Sequence, residues 1–413
     1  MADISNNKSF CTRLWTHLMF ECNGDVSPCC LMHSRRNWDS PAKIGNANTS
    51  TLEELWNSPL MKQTRMQMLK GEEVELCGKC YDKEAANVNS ARQYFNKYFA
   101  HKIDKVFEET KPDGTYEDID LVFWDVRFSN KCNFKCRMCG PASSSAWVAD
   151  KRKMTTDAKL IRGLTQHENI DGKKSLEFLK DNAHKVERIL FAGGEPLIMD
   201  EHYQLLEYLI ENKNFCMISY HTNLSKLQYK SWNVLDMWSK WPIEKVVVMP
   251  SIDEIGDRAE LIRSGTVWID IERNIKAIRA TGIKMLPNIT VNAMNINRLP
   301  EVITYLYENG VITDKYKCLN FTVSNVYWPK HMQINILPDW FKTETKTKLL
   351  KFFEDFKVRT GWDITNKIAF QLEVLDQPQN KEQAVEFIKY TAKLDEIRGE
   401  STYDVIPELK CVK

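Results

Sequence analysis

Apolar residues recur along this chain in two rhythms. Between residues 118 and 330, short β-branched and aromatic runs alternate with stretches whose apolar positions fall three and four apart. The first rhythm predicts strands and the second amphipathic helices. The strand candidates are residues 121–126, 188–192, 216–221, 245–249, 285–291 and 319–323, with helices such as 200–211 and 269–280 between them. Strands spaced by helices form right-handed β-α-β units and a parallel sheet. Six strands are too few for an eight-fold barrel, so the pattern predicts an open, partial barrel. Residues that do chemistry in such a barrel gather at the C-terminal ends of its strands.

The flanking regions read differently. Gly24 in Asn23-Gly24-Asp25 marks a turn between short apolar stretches, which predicts a hairpin leading to Cys29. Thr51 precedes a helical pattern in capping-box fashion, and a second helix carries Met61, Arg65, Met68 and Leu69 and stops at Gly71. Residues 85–109 read as one long amphipathic helix whose stripe includes Val88, Phe95 and Phe99; Lys111-Pro112-Asp113-Gly114 then breaks the chain. From Leu337 onward the pattern is mainly helical. Phe352, Phe353, Phe356 and Val358 suggest one buried face, and Ala384 to Leu394 another. The tail from Arg398 to Cys411 is polar and is expected to be mobile. Three regions follow: residues 1–110, 118–330 and 331–413.

Composition narrows the classes of function. Lys plus Arg number 57 against 56 Asp plus Glu, so bulk charge argues for no nucleic-acid partner. No apolar run approaches the roughly 20 residues that span a bilayer, and the first residues have no signal-peptide core. A cytoplasmic protein is expected, and there twelve cysteines point to metal rather than disulfides.

Those cysteines are clustered. Cys132, Cys136 and Cys139 follow the first barrel strand at C-x3-C-x2-C spacing. Thiolates that close can share one centre, and sulfur selects zinc or an iron–sulfur cluster. A closed site wants a fourth ligand, and the next forty residues offer only His167. An incomplete set suits a cubane with one iron left open, although a zinc knuckle has the same donors. Upstream, Cys11, Cys29, Cys77 and Cys80 form a second set, able to hold structural zinc or a fully ligated cubane. Cys30 is a possible substitute ligand, but it and Cys22 read more simply as buried thiols. Cys216 and Cys318 stand at strand starts, away from the chemistry. Further on, Gly193-Gly194-Glu195-Pro196 follows the second strand; its glycines allow close backbone approach and Glu195 offers an acceptor to a cation, though it could be an ordinary turn. Asn292, Asn295, Asn325 and Tyr327, after the last two strands, are placed to line a substrate cavity, and His221 is a candidate base.

The triplet closely resembles the hallmark of the radical S-adenosylmethionine superfamily. Met138 stands where the family usually has an aromatic residue before the third cysteine. The resemblance implies an α/β fold with a partial (β/α)6 barrel as the radical SAM core. Cys132, Cys136 and Cys139 would hold a catalytic [4Fe-4S] cluster whose open iron binds S-adenosylmethionine. Its reductive cleavage yields a 5′-deoxyadenosyl radical that abstracts hydrogen from a substrate. Gly193, Gly194 and Glu195 look like the motif for the methionyl amine, and Asn223 like a Thr-Asn element near the cofactor. Ser251 and Asp253 resemble the stretch beside the ribose, and Arg263 the partner of the methionyl carboxylate. The N-terminal region, with Leu55-Trp56-Asn57-Ser58 and the closing Cys77-x2-Cys80, resembles a twitch domain, the short form of SPASM. That likeness assigns Cys11, Cys29, Cys77 and Cys80 to one auxiliary [4Fe-4S] cluster. The domain usually follows the core and here precedes it. Relatives with auxiliary clusters modify ribosomal peptides, oxidise sugar-like rings or rearrange nucleotides, and a peptide is the leading substrate. A flavodoxin or ferredoxin-type reductant is implied. A structural zinc scaffold is the reading from another class.

Overall fold

The computed structural model of the chain describes residues 4, 7–33, 42–85, 89–164, 172–313 and 319–412. Val88, His167 and Cys318 lie outside the described residues. The chain forms two compact units, each assembled from separate stretches. The first is Met1–Ser129 with Asp171–Gly193 and Met199–Ser219; the second is Asn130–Ile170 with Gly194–Ile198 and Tyr220–Lys413.

In the first unit the predicted hairpin forms around Gly24, whose φ of 84° a side chain would strain. Strand His17–Phe20 pairs antiparallel with Asp25–Ser27, which pairs with Gly45–Asn46. On its other side His17–Phe20 runs parallel to Phe123–Val126, and that strand runs parallel to Arg188–Phe191. The cysteine-rich N-terminal region therefore supplies a strand to the sheet that holds the first predicted barrel strand, which the sequence pattern did not announce. All four residues of His17–Phe20 and of Phe123–Val126 are buried, as expected of strands covered on both faces. Thr51 caps helix Leu52–Trp56 in a full capping box with Glu54. Arg65, fully buried, donates to the Leu14 carbonyl at 2.9 Å and to Asn57 Oδ1 at 3.0 Å, with its guanidinium over the Trp56 ring. Burial pushes its pKa down to about 9. The long helix predicted over 85–109 is in fact two, Ala91–Tyr98 and Ile103–Glu109, joined by a 3-10 turn at Ala100–Lys102. Ser90 starts the first with its own capping box with Gln93. Phe95 and Phe99 still pack on Val122 and Phe123, as core.

Strand Met217–Thr222 begins in the first unit and ends in the second. In the second unit Val246–Pro250 runs parallel to Lys284–Met285, and Asn288–Val291 runs parallel to Thr322–Asn325. The single strand predicted over 285–291 is broken at Leu286-Pro287, because proline has no N–H to give a ladder. The last strand lies a few residues later than predicted, so Asn325 ends it rather than following it. Helices Asp339–Thr360 and Lys381–Arg398 fill the C-terminal region, each ended by a glycine of left-handed conformation, Gly361 and Gly399. Phe353 and Phe356 are buried, but Val358 is 85% exposed and leaves that face. The tail is not free: Thr402 donates to both carboxylate oxygens of Asp395, and Ile406 and Leu409 are buried. Among the described residues no helix is long and apolar enough to cross a membrane.

Candidate functional site

The cysteine loop of the second unit is fixed by side chains that donate to backbone carbonyls. Asn130 Nδ2 donates to the Pro141 carbonyl, Ser144 Oγ to the Phe134 carbonyl at 2.6 Å, and Trp147 Nε1 to the Cys136 carbonyl at 2.8 Å. Cys136 sits on the two-residue strand Lys135–Cys136, in antiparallel register with Arg263 of Arg263–Ser264. A hydrogen bond from Cys139 holds the Cys136 thiol below its usual value, against its burial, and Arg263 acts in the same sense. That bond, with burial, pushes Cys139 up. Burial and the neighbouring Cys136 push Cys132 up to about 12. Desolvated thiols in one loop beside a guanidinium suit a centre that takes thiolates.

Glu195 is wholly buried, and three donors converge on its carboxylate. Thr222 Oγ1 lies at 2.7 Å, the Asn223 amide at 2.6 Å and the Leu197 amide at 3.1 Å. Burial nevertheless raises its pKa to about 7. Among the described residues no cation is bonded to that carboxylate, although Arg263 acts on it from a distance, and a ligand amine could supply one. The glycines before it have a reason that the sequence did not reveal. A Cβ on Gly194 would lie 2.2 Å from the Lys131 carbonyl oxygen, and the Glu195 amide donates to that same oxygen at 2.8 Å. At Gly194 the close neighbour is therefore the cysteine loop itself. Gly193 has φ +102°, with Ser129 and Arg127 tight against it. Asn223 Nδ2 is shared between Asn133 Oδ1 at 3.1 Å and Cys132 Sγ at 3.9 Å, so its amide faces the cysteine loop.

Asp253, wholly buried, accepts from Arg263 Nη1 at 2.6 Å and from the Thr290 amide at 2.7 Å. Burial works against the charge on Arg263, but Cys136 and Asp253 outweigh it and its pKa is raised. Among the described residues Arg263 Nε is buried without a hydrogen-bond partner, a donor left for a carboxylate. Ser251 sits at the strand end, its amide donating to the Thr222 carbonyl at 2.9 Å. Asn292 and Asn295 are both wholly buried, and Asn295 donates to the Asp253 and Thr290 carbonyls. They brace the turn that carries Asp253. His221 lies within its strand, half-buried.

Sequence reasoning missed the residues that hold the loop from behind. Arg137, between the second and third cysteines, is 1% exposed and donates to Asp395 and Glu400. Tyr390 donates to the Arg137 carbonyl at 2.9 Å. Arg398 donates to Asp150 and to Ser264 Oγ, each at 2.8 Å, and lies over the Trp147 ring. The segment expected to be mobile is thus a clamp on the cysteine loop.

In the first unit Cys11, Cys29, Cys77 and Cys80 line one cavity of about 20 Å³ together with Arg13 and Arg92. Burial pushes the Cys11 thiol up to about 11, and burial followed by Cys11 and Cys80 raises Cys77. Arg13 is 3% exposed and bonded through Nη2 to His17 Nε2 at 2.7 Å, while His17 Nδ1 lies 3.0 Å from the Phe123 carbonyl. Burial and Arg13 keep His17 neutral, so it accepts from Arg13 and donates to Phe123. Cys30 is not on the cavity wall; a hydrogen bond with Cys29 and burial push its pKa up. Four thiols and two guanidiniums around one cavity fit a negatively charged thiolate-ligated cluster.

Two family models match separate parts of the chain. A family model described as an iron–sulfur cluster-binding domain, SPASM, matches residues 11–81, and the radical SAM superfamily model matches residues 126–305. The cofactors that belong to these domains are a [4Fe-4S] cluster with S-adenosylmethionine, and auxiliary iron–sulfur chemistry. No curated protein matches the sequence. Among solved structures, the chain is similar to native anSMEcpe with bound AdoMet at 18% identity, covering 57% of this chain and 61% of that one, with a TM-score of 0.37. It is also similar to Streptococcus suis SuiB bound to S-adenosylmethionine, at 14% identity over 82% of this chain and 69% of that one, TM-score 0.37. SuiB bound to precursor peptide SuiA matches at 13% identity over 72% and 64%, TM-score 0.37. The chain spans about three fifths of the length of anSMEcpe.

Proposed function

We propose that this chain, a member of the radical S-adenosylmethionine superfamily with an iron–sulfur cluster-binding domain ahead of its core, abstracts hydrogen from a peptide substrate. The observation that carries the reading is the placement of Arg263 opposite Cys136 and of the Glu195 amide on the Lys131 carbonyl. One thiolate loop thereby has a buried carboxylate and a buried guanidinium tied to it, the complement of an amino-acid zwitterion.

Cys132, Cys136 and Cys139 would hold the catalytic cluster, and Cys11, Cys29, Cys77 and Cys80 the auxiliary one. Bound there, the first would supply the electron that cleaves the sulfonium C–S bond of S-adenosylmethionine, releasing methionine and the 5′-deoxyadenosyl radical that abstracts hydrogen. The chain's own residues position that cofactor. Glu195 receives the ammonium, Arg263 the carboxylate through its unused Nε, and Ser251 and Asp253 stand towards the ribose. Asn223 orients Cys132. Arg13 and Arg92 offset the negative charge of the auxiliary cluster, so that it accepts an electron more readily. A peptide is preferred because enzymes pairing these two domains most often act on ribosomal peptides. The setting is the cytoplasm, where such thiols stay reduced, with a flavodoxin or ferredoxin-type donor.

The test is anaerobic purification, reconstitution with iron and sulfide, and assay with dithionite and S-adenosylmethionine. The reading expects about eight iron atoms per chain, four per cluster, and 5′-deoxyadenosine that disappears in Cys136→Ala. Zinc with no cleavage would sink it.

A further inference from the structure

Ser58 opens helix Pro59–Leu69 without capping it. Its hydroxyl makes no bond to the first-turn amides and is buried with no partner among the described residues. Two donors close by in the chain share that condition. Trp56 Nε1 and Arg65 Nη2 are buried without partners among the described residues, on side chains that are wholly buried. No role so far falls to Trp56, Ser58 or Arg65 in either cysteine site.

Arg65 brings the three together. Its guanidinium lies 5.0 Å from the centre of the Trp56 ring, and Nη1 donates to Oδ1 of Asn57, the residue between Trp56 and Ser58, at 3.0 Å. A helical side chain leans towards its own N-terminus, which carries this guanidinium to the start of the helix. The rings of Trp15 and Tyr116 stand 5.9 Å from it. Its acceptors are all neutral: the Leu14 and Gly114 carbonyls and Asn57 Oδ1. Among the described residues no carboxylate pairs with it. Rings attract a cation but do not cancel its charge, and a buried charge without a counter-ion is costly.

We propose that a chloride ion binds between Arg65 Nη2, Trp56 Nε1 and the Ser58 hydroxyl, at the uncapped start of the helix. A water molecule can meet those groups but leaves the charge in place, and its own hydrogens need acceptors. Guanidiniums and helix N-termini both draw anions. Arg65, Trp56 and Tyr116 are each at most 1% exposed, a wall that suits a single atom rather than a phosphate or a metabolite carboxylate. The ion braces the segment that carries Cys11, because Arg65 Nε holds the Leu14 carbonyl at 2.9 Å and Leu14 lines the four-thiol cavity.

The test is thermal unfolding of the reconstituted full chain as chloride replaces gluconate at constant ionic strength. Each tenfold rise in chloride above its dissociation constant is expected to raise the melting temperature by about 2 °C. Ser58→Ala keeps the charge and removes one donor, and is expected to weaken chloride about fivefold. Arg65→Met removes the charge and is expected to abolish the dependence; should it not fold, Ser58→Ala decides. Crystals soaked in bromide are expected to show anomalous scattering within hydrogen-bond reach of Arg65 Nη2. A melting temperature indifferent to chloride, a dependence unchanged in Ser58→Ala, or ordinary water at that position overturns the proposal. Neither measurement uses S-adenosylmethionine, so the result is independent of the radical reading.

Discussion

Arg263 stands directly across from Cys136 in a two-residue antiparallel pairing, while its guanidinium is bound to Asp253 2.6 Å away. One side chain thus joins the cysteine loop to the strand end that carries Asp253. The Asp253 carboxylate is wholly buried, so removing its partner leaves an uncompensated charge. Arg263→Gln is expected to cost about 3–5 kcal/mol of stability. Urea unfolding of the cluster-free protein measures it, and a change below about 1 kcal/mol would show that the pair is solvated.

Gly194 predicts a different kind of failure. Alanine there drives a methyl group into the Lys131 carbonyl, which is backbone and cannot rotate aside. We expect Gly194→Ala to displace the cysteine loop and lower reconstituted iron from about eight to about four atoms per chain. Full iron occupancy in that variant would mean the loop can yield.

Glu195 sets a pH dependence with a definite sign. Burial raises its pKa to about 7 in the free protein, while an ammonium ligand favours the carboxylate. Below pH 7 binding must first remove a proton. Affinity for S-adenosylmethionine therefore falls about tenfold per pH unit below that point, and falls again above about pH 8, where the ligand's α-ammonium loses its own proton. Glu195→Gln should bind weakly at every pH between 5.5 and 8, which equilibrium dialysis can follow.

The clamp on Arg137 is testable without touching a cysteine. Glu400→Ala leaves a buried guanidinium with one carboxylate fewer, and should cost about 2–3 kcal/mol. It should also speed iron loss to a chelator relative to the unaltered chain. Equal rates would make the tail a bystander.

Arg13 lines the four-thiol cavity as a buried cation. Removing its charge disfavours the reduced, more negative cluster. Arg13→Gln should lower the auxiliary potential, by 59 mV for each tenfold change in the one-electron equilibrium. A titration followed by electron paramagnetic resonance reads it directly, and an unshifted potential would show the charge is screened.

The readable and unreadable parts of this chain divide by range. Cys132, Cys136 and Cys139 lie within eight residues, so their common loop was legible from spacing alone. The hairpin at Gly24 and the cap at Thr51 are likewise local, and both formed as read. Cys11, Cys29, Cys77 and Cys80 are farther apart, and it was the closing C-x2-C that made them legible as a set. The partners of Arg137 lie 258 and 263 residues away, and nothing near either end signals them. Gly194 was read correctly as a site of close approach, but the approaching group was backbone of a distant loop. The hydrogen bonds of Asn292 and Asn295 within their own turn and to the Asp253 carbonyl were not legible, because an amide after a strand serves a turn as readily as a ligand. Pro287 carried a strand break in plain view, and the apolar run around it hid the signal.

The distance in sequence between Arg137 and its clamp also fixes an order of manufacture. Every residue on the wall of the four-thiol cavity has been synthesised once Arg92 leaves the ribosome. The cysteine loop emerges next, yet Asp395 and Glu400 follow some 260 residues later. A nascent or stalled chain thus exposes three thiols whose anchoring arginine has no counter-charge. A chain cut short of Asp395 is therefore expected to hold its buried Arg137 without either carboxylate partner.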